Sequence, residues 1–361
     1  MGEVVELPTG VRTGEAGVWF DNEHPSLRRC WHPVARVAEL TGDGPHAVEL
    51  LGEHWCLVRL DGEWTALRDT CPHRLAPLSI GSIVDGTLQC AYHGYRFDAS
   101  GRCVEIPALG PGAAVPRRAS CGSAAGVAEH LGLIWIAPDP PLVGLPDVPE
   151  HDDPNFVSCP LPPSDWNAGA AQMTDNFLDP GHLAFLHLAT FAQPDDRVVG
   201  DYSVDRDGLG FSVRYRHATK ALADSHGVDD AEIVERESYW TYTAPHHIRL
   251  VLSYPGEDAV LTISFCHQPV NASTTRLFCT DYRNDIADSA DAVADTVAFQ
   301  QAVAAEDKEI MESLRRKAMP LDPTAEFHSR ADRITVELRR VLRELHAIAA
   351  EPEKNHIEEL T

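Results

Sequence analysis

Nowhere in the 361 residues does an apolar run approach the ~18–20 residues that a membrane-spanning helix needs. The opening MGEVVELPTG lacks the basic-then-apolar pattern of a secretory leader. A soluble, cytoplasmic protein is the expectation from both. Basic charge is scarce: 30 Lys and Arg stand against 55 Asp and Glu, a net charge of −25, and no lysine occurs before residue 151. Such a surface repels nucleic acid and anionic membranes, so neither is expected as a partner. No Gly-x-Gly-x-x-Gly follows a strand-like segment, which leaves the chain without a dinucleotide fingerprint. There is no internal repeat and no low-complexity segment. In a reducing compartment the nine cysteines are thiols or metal ligands rather than disulfides.

Four potential ligands stand out instead. Cys71-x-His73 and Cys90-x2-His93 are two tight Cys/His pairs separated by a hairpin-sized segment. Two thiolates and two imidazoles suit either a structural zinc or an iron–sulfur centre. Zinc fingers group Cys with Cys and His with His along the chain, whereas here each pair mixes the two. That mixing fits a Rieske [2Fe–2S] cluster, in which two Cys hold one iron and two His the other. A Cys2His2 zinc is the alternative at this point. The other cysteines have no ligand-like spacing and read as small buried hydrophobes.

The surrounding pattern is β. Residues 54–60 and 64–68 read as strands about an Asp61-Gly62 turn, and Asp85-Gly86 marks a second turn ahead of the second ligand pair. A further hairpin is expected over 95–106 and a buried strand over 131–137. Nine prolines between 138 and 163 mark the crossing to a second domain. The expected division is an irregular lead-in at 1–28, a cluster domain at 29–140 and a second domain at 141–361.

The second motif is Asp175-Asn176-Phe-Leu-Asp179-Pro-Gly-His182-x4-His187. Asp before Pro predicts a helix starting at Pro180, with Asp179 as its N-cap. His182 and His187 would then lie on adjacent turns, about 140° apart around the axis. Asp179 could hold the second ring nitrogen of His182. Two ordinary histidines on a capped helix are the plain alternative. A mononuclear non-haem iron takes two His and one carboxylate.

Strands are expected at 233–243, 246–254, 259–267 and 275–283, after a loop at 219–232. A helix is expected over 290–317, with Val293, Val297, Val303, Ile310 and Leu314 on its apolar stripe. Asp307 falls on that stripe, where a carboxylate is costly unless paired or metal-bound, and this makes it the candidate third ligand. A stripe-edge carboxylate reaching solvent or an arginine is the alternative. Residues 328–349 read as a structural amphipathic helix. The aromatic and polar residues Tyr239, Trp240, Tyr242, His246 and His247 are candidates for a substrate pocket.

Together, CPHRLAPLSIGSIVDGTLQCAYHGYRFDASGRC, DNFLDPGHLAFLH and AEDKEIMESLR resemble the Rieske non-haem iron oxygenases, of the single-subunit type that includes dicamba and vanillate O-demethylases. The likeness runs in order from about Trp31 to the final helix. It implies an α+β protein: an all-β Rieske domain followed by a catalytic domain of antiparallel sheet and helices, of the helix-grip type. It further implies that Cys71, His73, Cys90 and His93 hold the cluster and that His182, His187 and Asp307 hold Fe(II). Asp179 would bridge to the cluster histidine of a neighbouring subunit in a homotrimer, and Asn176 matches a position near the iron. Electrons would come from NAD(P)H through a separate ferredoxin and/or flavin reductase. O2 would then hydroxylate or demethylate a small aromatic substrate. An electron carrier without oxygenase chemistry and a zinc-dependent hydrolase are the other classes weighed.

Overall fold

In the computed structural model, residues 17–220, 233–254 and 258–350 are described. Strand β1 (Trp19–Asp21) lies in the expected lead-in and pairs with β20 (Ala318–Pro320), so this part of the lead-in is ordered against the C-terminal region. The first half is then all antiparallel β. Strands β2 (His32–Arg36), β10 (Gly126–His130) and β11 (Leu133–Ala137) form one small sheet, and β3 (His46–Leu50), β4 (Glu53–Leu60) and β5 (Glu63–Arg68) a second. Strands β6 (Ser82–Val84), β7 (Thr87–Gln89), β8 (Arg96–Phe97) and β9 (Cys103–Glu105) make a third.

The expected turns have their physical reason in the backbone. Asp61 and Gly62 adopt φ of 53° and 91°, and Asp85 and Gly86 adopt 45° and 69°. Two successive left-handed residues make the primed turn whose twist matches a hairpin, and Asp-Gly is its preferred sequence.

The second half is one eight-stranded antiparallel sheet. Its order is β12 (Val157–Pro160), β19 (Thr274–Arg283), β18 (Ala259–Asn271), β17 (His247–Tyr254), β16 (Ile233–Thr243), β15 (Gly210–Lys220), β14 (Val204–Asp207), with β13 (Ser164–Trp166) also on β19. Helices α1 (Ala170–Leu178), α3 (Ala290–Ser313) and α4 (Arg333–Ala350) pack with it, and the four-residue α2 (Leu183–Leu186) follows α1. Strands β14 and β15 lie where no element is expected from the sequence. The expected 219–232 loop begins two residues inside β15, and from 221 to 232 it lies outside the described residues.

The halves are joined by backbone. Leu51 and Gly52 N–H donate to Pro269 and Val270 carbonyls at 2.8 Å each, and the Gln268 amide donates to Glu49 O at 2.6 Å. On the far side, buried Arg339 of α4 reaches Asp175 of α1 at 3.1 Å and Glu326 at 2.6 Å.

Candidate metal centres and active site

The two cluster loops are built alike. In each, the Cys N–H donates to the carbonyl five residues on (Cys71 to Ala76, Cys90 to Tyr95, both 2.8 Å). The residue four on donates back to the Cys carbonyl, Leu75 at 2.9 Å and Gly94 at 3.0 Å. That fourth residue is left-handed in both loops, with φ of 60° at Leu75 and 70° at Gly94. A leucine holds that conformation only where its surroundings over-determine it, a feature of functional sites. Cys71 and Cys90 sit side by side in an apolar cluster with Leu78, Leu88 and Phe97, while His73 and His93 are exposed. The two imidazoles lie 4.5 Å apart between centroids, with Tyr95 stacked on His73 at 4.6 Å.

Burial pushes the Cys71 thiol up to about 11, and the neighbouring Cys90 pushes it the same way, while amides of His73 and Arg74 favour its ionised form. Two adjacent buried thiolates need cationic metal to exist. Cys lies with Cys and His with His. Among the described residues, no three of these four groups bring ligand atoms within 4.8 Å of one another, as a single zinc would require. A two-iron cluster suits the arrangement.

In the second half, His182, His187 and Asp307 do converge, with all three ligand atoms within 4.8 Å. The two Nε2 atoms are 3.2 Å apart, and Asp307 Oδ1 lies 3.6 and 3.4 Å from them. Carboxylates take the other nitrogens: Asp179 Oδ2 lies 3.3 Å from His182 Nδ1, and Glu306 Oε2 lies 2.9 Å from His187 Nδ1. This places a proton on each Nδ1 and aims each Nε2 lone pair at Asp307. Three lone pairs meeting at one buried point repel unless a cation sits between them, and this donor set suits non-haem Fe(II). Asn176 of α1 donates its amide to Asp307 Oδ1 at 2.8 Å. Burial disfavours a charged His187, but Asp307 and Glu306 outweigh it and raise its pKa. Burial likewise works against the Asp179 carboxylate, and His182 with the Gly181 and His182 amides outweighs it to lower the pKa.

The helix expected from Pro180 is not there. Asp179 is the C-cap of α1, extended at φ −82°, ψ 121° as a residue before proline tends to be. It also caps the break, accepting from Gly181 and His182 N–H at 2.8 and 3.0 Å. His182 and His187 flank the short α2 rather than sharing a longer helix. The break removes the 140° separation and lets both rings face one point. On α3 the buried face is Thr296, Gln300, Val303, Asp307 and Met311, whereas Ile310 is 43% exposed. Glu306 was not among the sequence candidates, because it falls off the apolar stripe; its one signal is adjacency to Asp307.

A cavity opens beside the three ligand atoms. Its walls are apolar and aromatic, among them Phe177, Phe191, Leu252, Ile263 and Phe265, with Arg236, Ser238 and Gln300 as polar points. Of the five pocket candidates only Trp240 lines it; its indole donates to Phe177 O at 3.1 Å. Tyr239 has the opposite strand phase and lies under Arg214. Tyr242 packs on Phe211, and His246 and His247 are buried against Thr174 and Trp31.

Residues 30–121 match the family described as Rieske [2Fe-2S] domain, and residues 166–348 that described as Vanillate O-demethylase oxygenase C-terminal domain. Methylxanthine N1-demethylase NdmA of Pseudomonas putida is 32% identical over 333 residues, covering 90% of this chain and 91% of its own length. Methylxanthine N3-demethylase NdmB of the same organism is 29% identical over 343 residues, with the same coverage. The solved structure of NdmA with caffeine matches with a TM-score of 0.78 at 31% identity, over 91% of this chain and 93% of that one. Dicamba monooxygenase bound to dicamba shares the fold, with a TM-score of 0.71 at 22% identity over 90% and 99% of the two chains. An electron carrier would have no use for residues 166–348, and a zinc hydrolase no Rieske domain. With a [2Fe–2S] cluster and a mononuclear non-haem iron as its cofactors, this chain belongs to the Rieske non-haem iron oxygenases.

Proposed function

We propose that this chain is the terminal oxygenase of a multicomponent system that demethylates or hydroxylates a small aromatic molecule. Cys71 and Cys90 would hold one cluster iron, His73 and His93 the other, and His182, His187 and Asp307 the mononuclear Fe(II). We place the boundary between cluster and catalytic domains near residue 140, between β11 and β12. The observation that carries the reading is the meeting of two Nδ1-anchored imidazoles and a buried carboxylate at the wall of an apolar cavity.

Bound there, the metal supplies O2 activation with electrons drawn from the cluster. The chain's own residues do the rest. Asp179 and Glu306 fix the imidazoles, Asn176 fixes Asp307, and the cavity walls hold substrate beside them and exclude water. Asp179 keeps 31% of its side chain exposed. It opens onto a concave surface where Met311, Leu314 and exposed Phe327 stand among charged side chains that include Asp175, Glu326 and Arg339. Beside His73 and His93 stand the exposed apolar side chains Leu75, in the Cys71 loop, and Tyr92, whose ring lies 3.8 Å from that of His93. A homotrimer in which a cluster histidine of one copy meets Asp179 of the next would bring those two surfaces together.

Demethylation balances as one methyl group, O2, two electrons and two protons in, and demethylated product, formaldehyde and water out. NAD(P)H would supply the electrons through a ferredoxin and/or flavin reductase. The names of NdmA and NdmB support demethylation over ring dihydroxylation. The test is an NADH-driven assay with a surrogate reductase over a panel of N- and O-methylated aromatics. Formaldehyde matching O2 consumption supports the proposal; iron-loaded protein that couples O2 use to none of them refutes it.

A further inference from the structure

We propose that Arg236 makes the cavity selective for an anionic substrate, an aromatic body lying beside the metal site with its carboxylate against the guanidinium. This rests on the oxygenase reading of the neighbouring site. Strand β16 alternates, and Arg236, Ser238 and Trp240 share its inward phase. Arg236 is only 5% exposed. Among the described residues, no carboxylate oxygen lies within 4 Å of it. Its Nε and Nη2 both donate to one neutral acceptor, His217 Nε2, at 3.2 and 3.0 Å. Burial, and then Arg236 itself, hold His217 down to about 3, so the imidazole accepts from the guanidinium without cancelling its charge. The Asp196 carboxylate lies beyond that ring, 3.6 Å from His217 Nδ1, and it feels the Arg236 charge from there.

A buried guanidinium with no carboxylate within 4 Å among the described residues is costly, and its Nη1–Nη2 edge suits a carboxylate bidentately. The charge also stands where a substrate can reach it. Arg236 lies 5.3 Å over the Phe191 ring, and Phe191 stacks on His187 at 4.8 Å. Arg236 and Phe191 line the same cavity as His182, His187 and Asp307. The rest of the lining is mostly apolar and aromatic, and its two carboxylates, Asp179 and Asp307, belong to the metal site, which leaves Arg236 as the cationic anchor for a substrate.

The test is anaerobic calorimetry of the iron-loaded protein with 4-methoxybenzoate, its neutral isostere 4-methoxybenzamide, and caffeine. The parent is expected to prefer the benzoate over the benzamide by about tenfold or more, the order of one charge-assisted pair. Arg236→Gln should abolish that preference and leave benzamide and caffeine affinity in place, while Arg236→Lys keeps part of it. Equal binding of benzoate and benzamide by the parent, or no benzoate binding at millimolar concentration, overturns the proposal. So does an Arg236→Gln variant that weakens all three probes alike, which would make the arginine a support for His217 and Phe191. The parent's own preference decides the matter should the glutamine variant lose its cluster absorbance. Formaldehyde release separates the two readings. Turnover without charge preference removes only the anion site, and charge preference without turnover of any methylated probe removes only the oxygenase reading.

Discussion

Glu306 offers the sharpest test of how the mononuclear site is held. Its Oε2 accepts from His187 Nδ1 at 2.9 Å and from Thr190 Oγ1 at 2.7 Å, with the side chain only 17% exposed. Outer carboxylates of this kind contribute about 10–100-fold to metal affinity, or about 1.4–2.8 kcal/mol. Glu306→Gln keeps an oxygen that can accept the imidazole proton and loses only the charge, so the effect belongs at the lower end. Glu306→Ala removes both hydrogen bonds and frees the ring to rotate, so it belongs at the upper end. Competition between anaerobic protein and a ferrous chelator measures this directly, with the visible spectrum of the cluster as an internal standard. An alanine variant that holds its mononuclear iron as tightly as the parent would refute the reasoning.

Asp179→Asn should keep both metal centres and stop turnover, because the amide oxygen still accepts from His182 Nδ1 but lacks the charge proposed to link it to a neighbouring cluster histidine; full product formation would reduce Asp179 to a cap for the break at 180. Asp281 of β19 is buried, and burial raises its pKa to about 8 against the opposing Arg283 and Cys279. It therefore stays protonated in the fold while an unfolded chain ionises near ~3.9, so this residue's contribution to stability falls as pH rises from about 4 to about 8, by up to about 1.4 kcal/mol per pH unit. Asp281→Asn lacks that loss. Its melting temperature should gain on the parent's across the window, and parallel pH profiles for the two proteins would contradict the assignment.

Much of this was legible in the sequence because it depends on local rules. Asp-Gly at 61–62 and 85–86 demands primed turns, and mixed Cys/His pairs on two loops read as one centre. Asp307 was legible as a carboxylate on an apolar stripe. What escaped depends on tertiary context. A helix face that borders a ligand cavity tolerates Thr296 and Gln300, so a hydrophobic stripe misplaces Ile310 and overlooks Glu306. Asp179-Pro180-Gly181 reads equally as a helix start or a helix stop, and the packing of α1 decides for the stop. Strand β15 alternates Phe211, Val213 and Tyr215 inward with Arg214 and Arg216 outward, a pattern that its charged residues disguise. The inward phase of Arg236 follows only from the register of β16 between β15 and β17.

The positions of iron in the active protein decide whether a paired-iron centre in the first half serves a single iron in the second. Anomalous diffraction from crystals of the active protein at the iron edge tests it most directly. A close pair of iron peaks is expected between the 71–73 and 90–93 loops, and one lone iron peak among His182, His187 and Asp307. Zinc at either position, or active protein with no metal between those three residues, would contradict it.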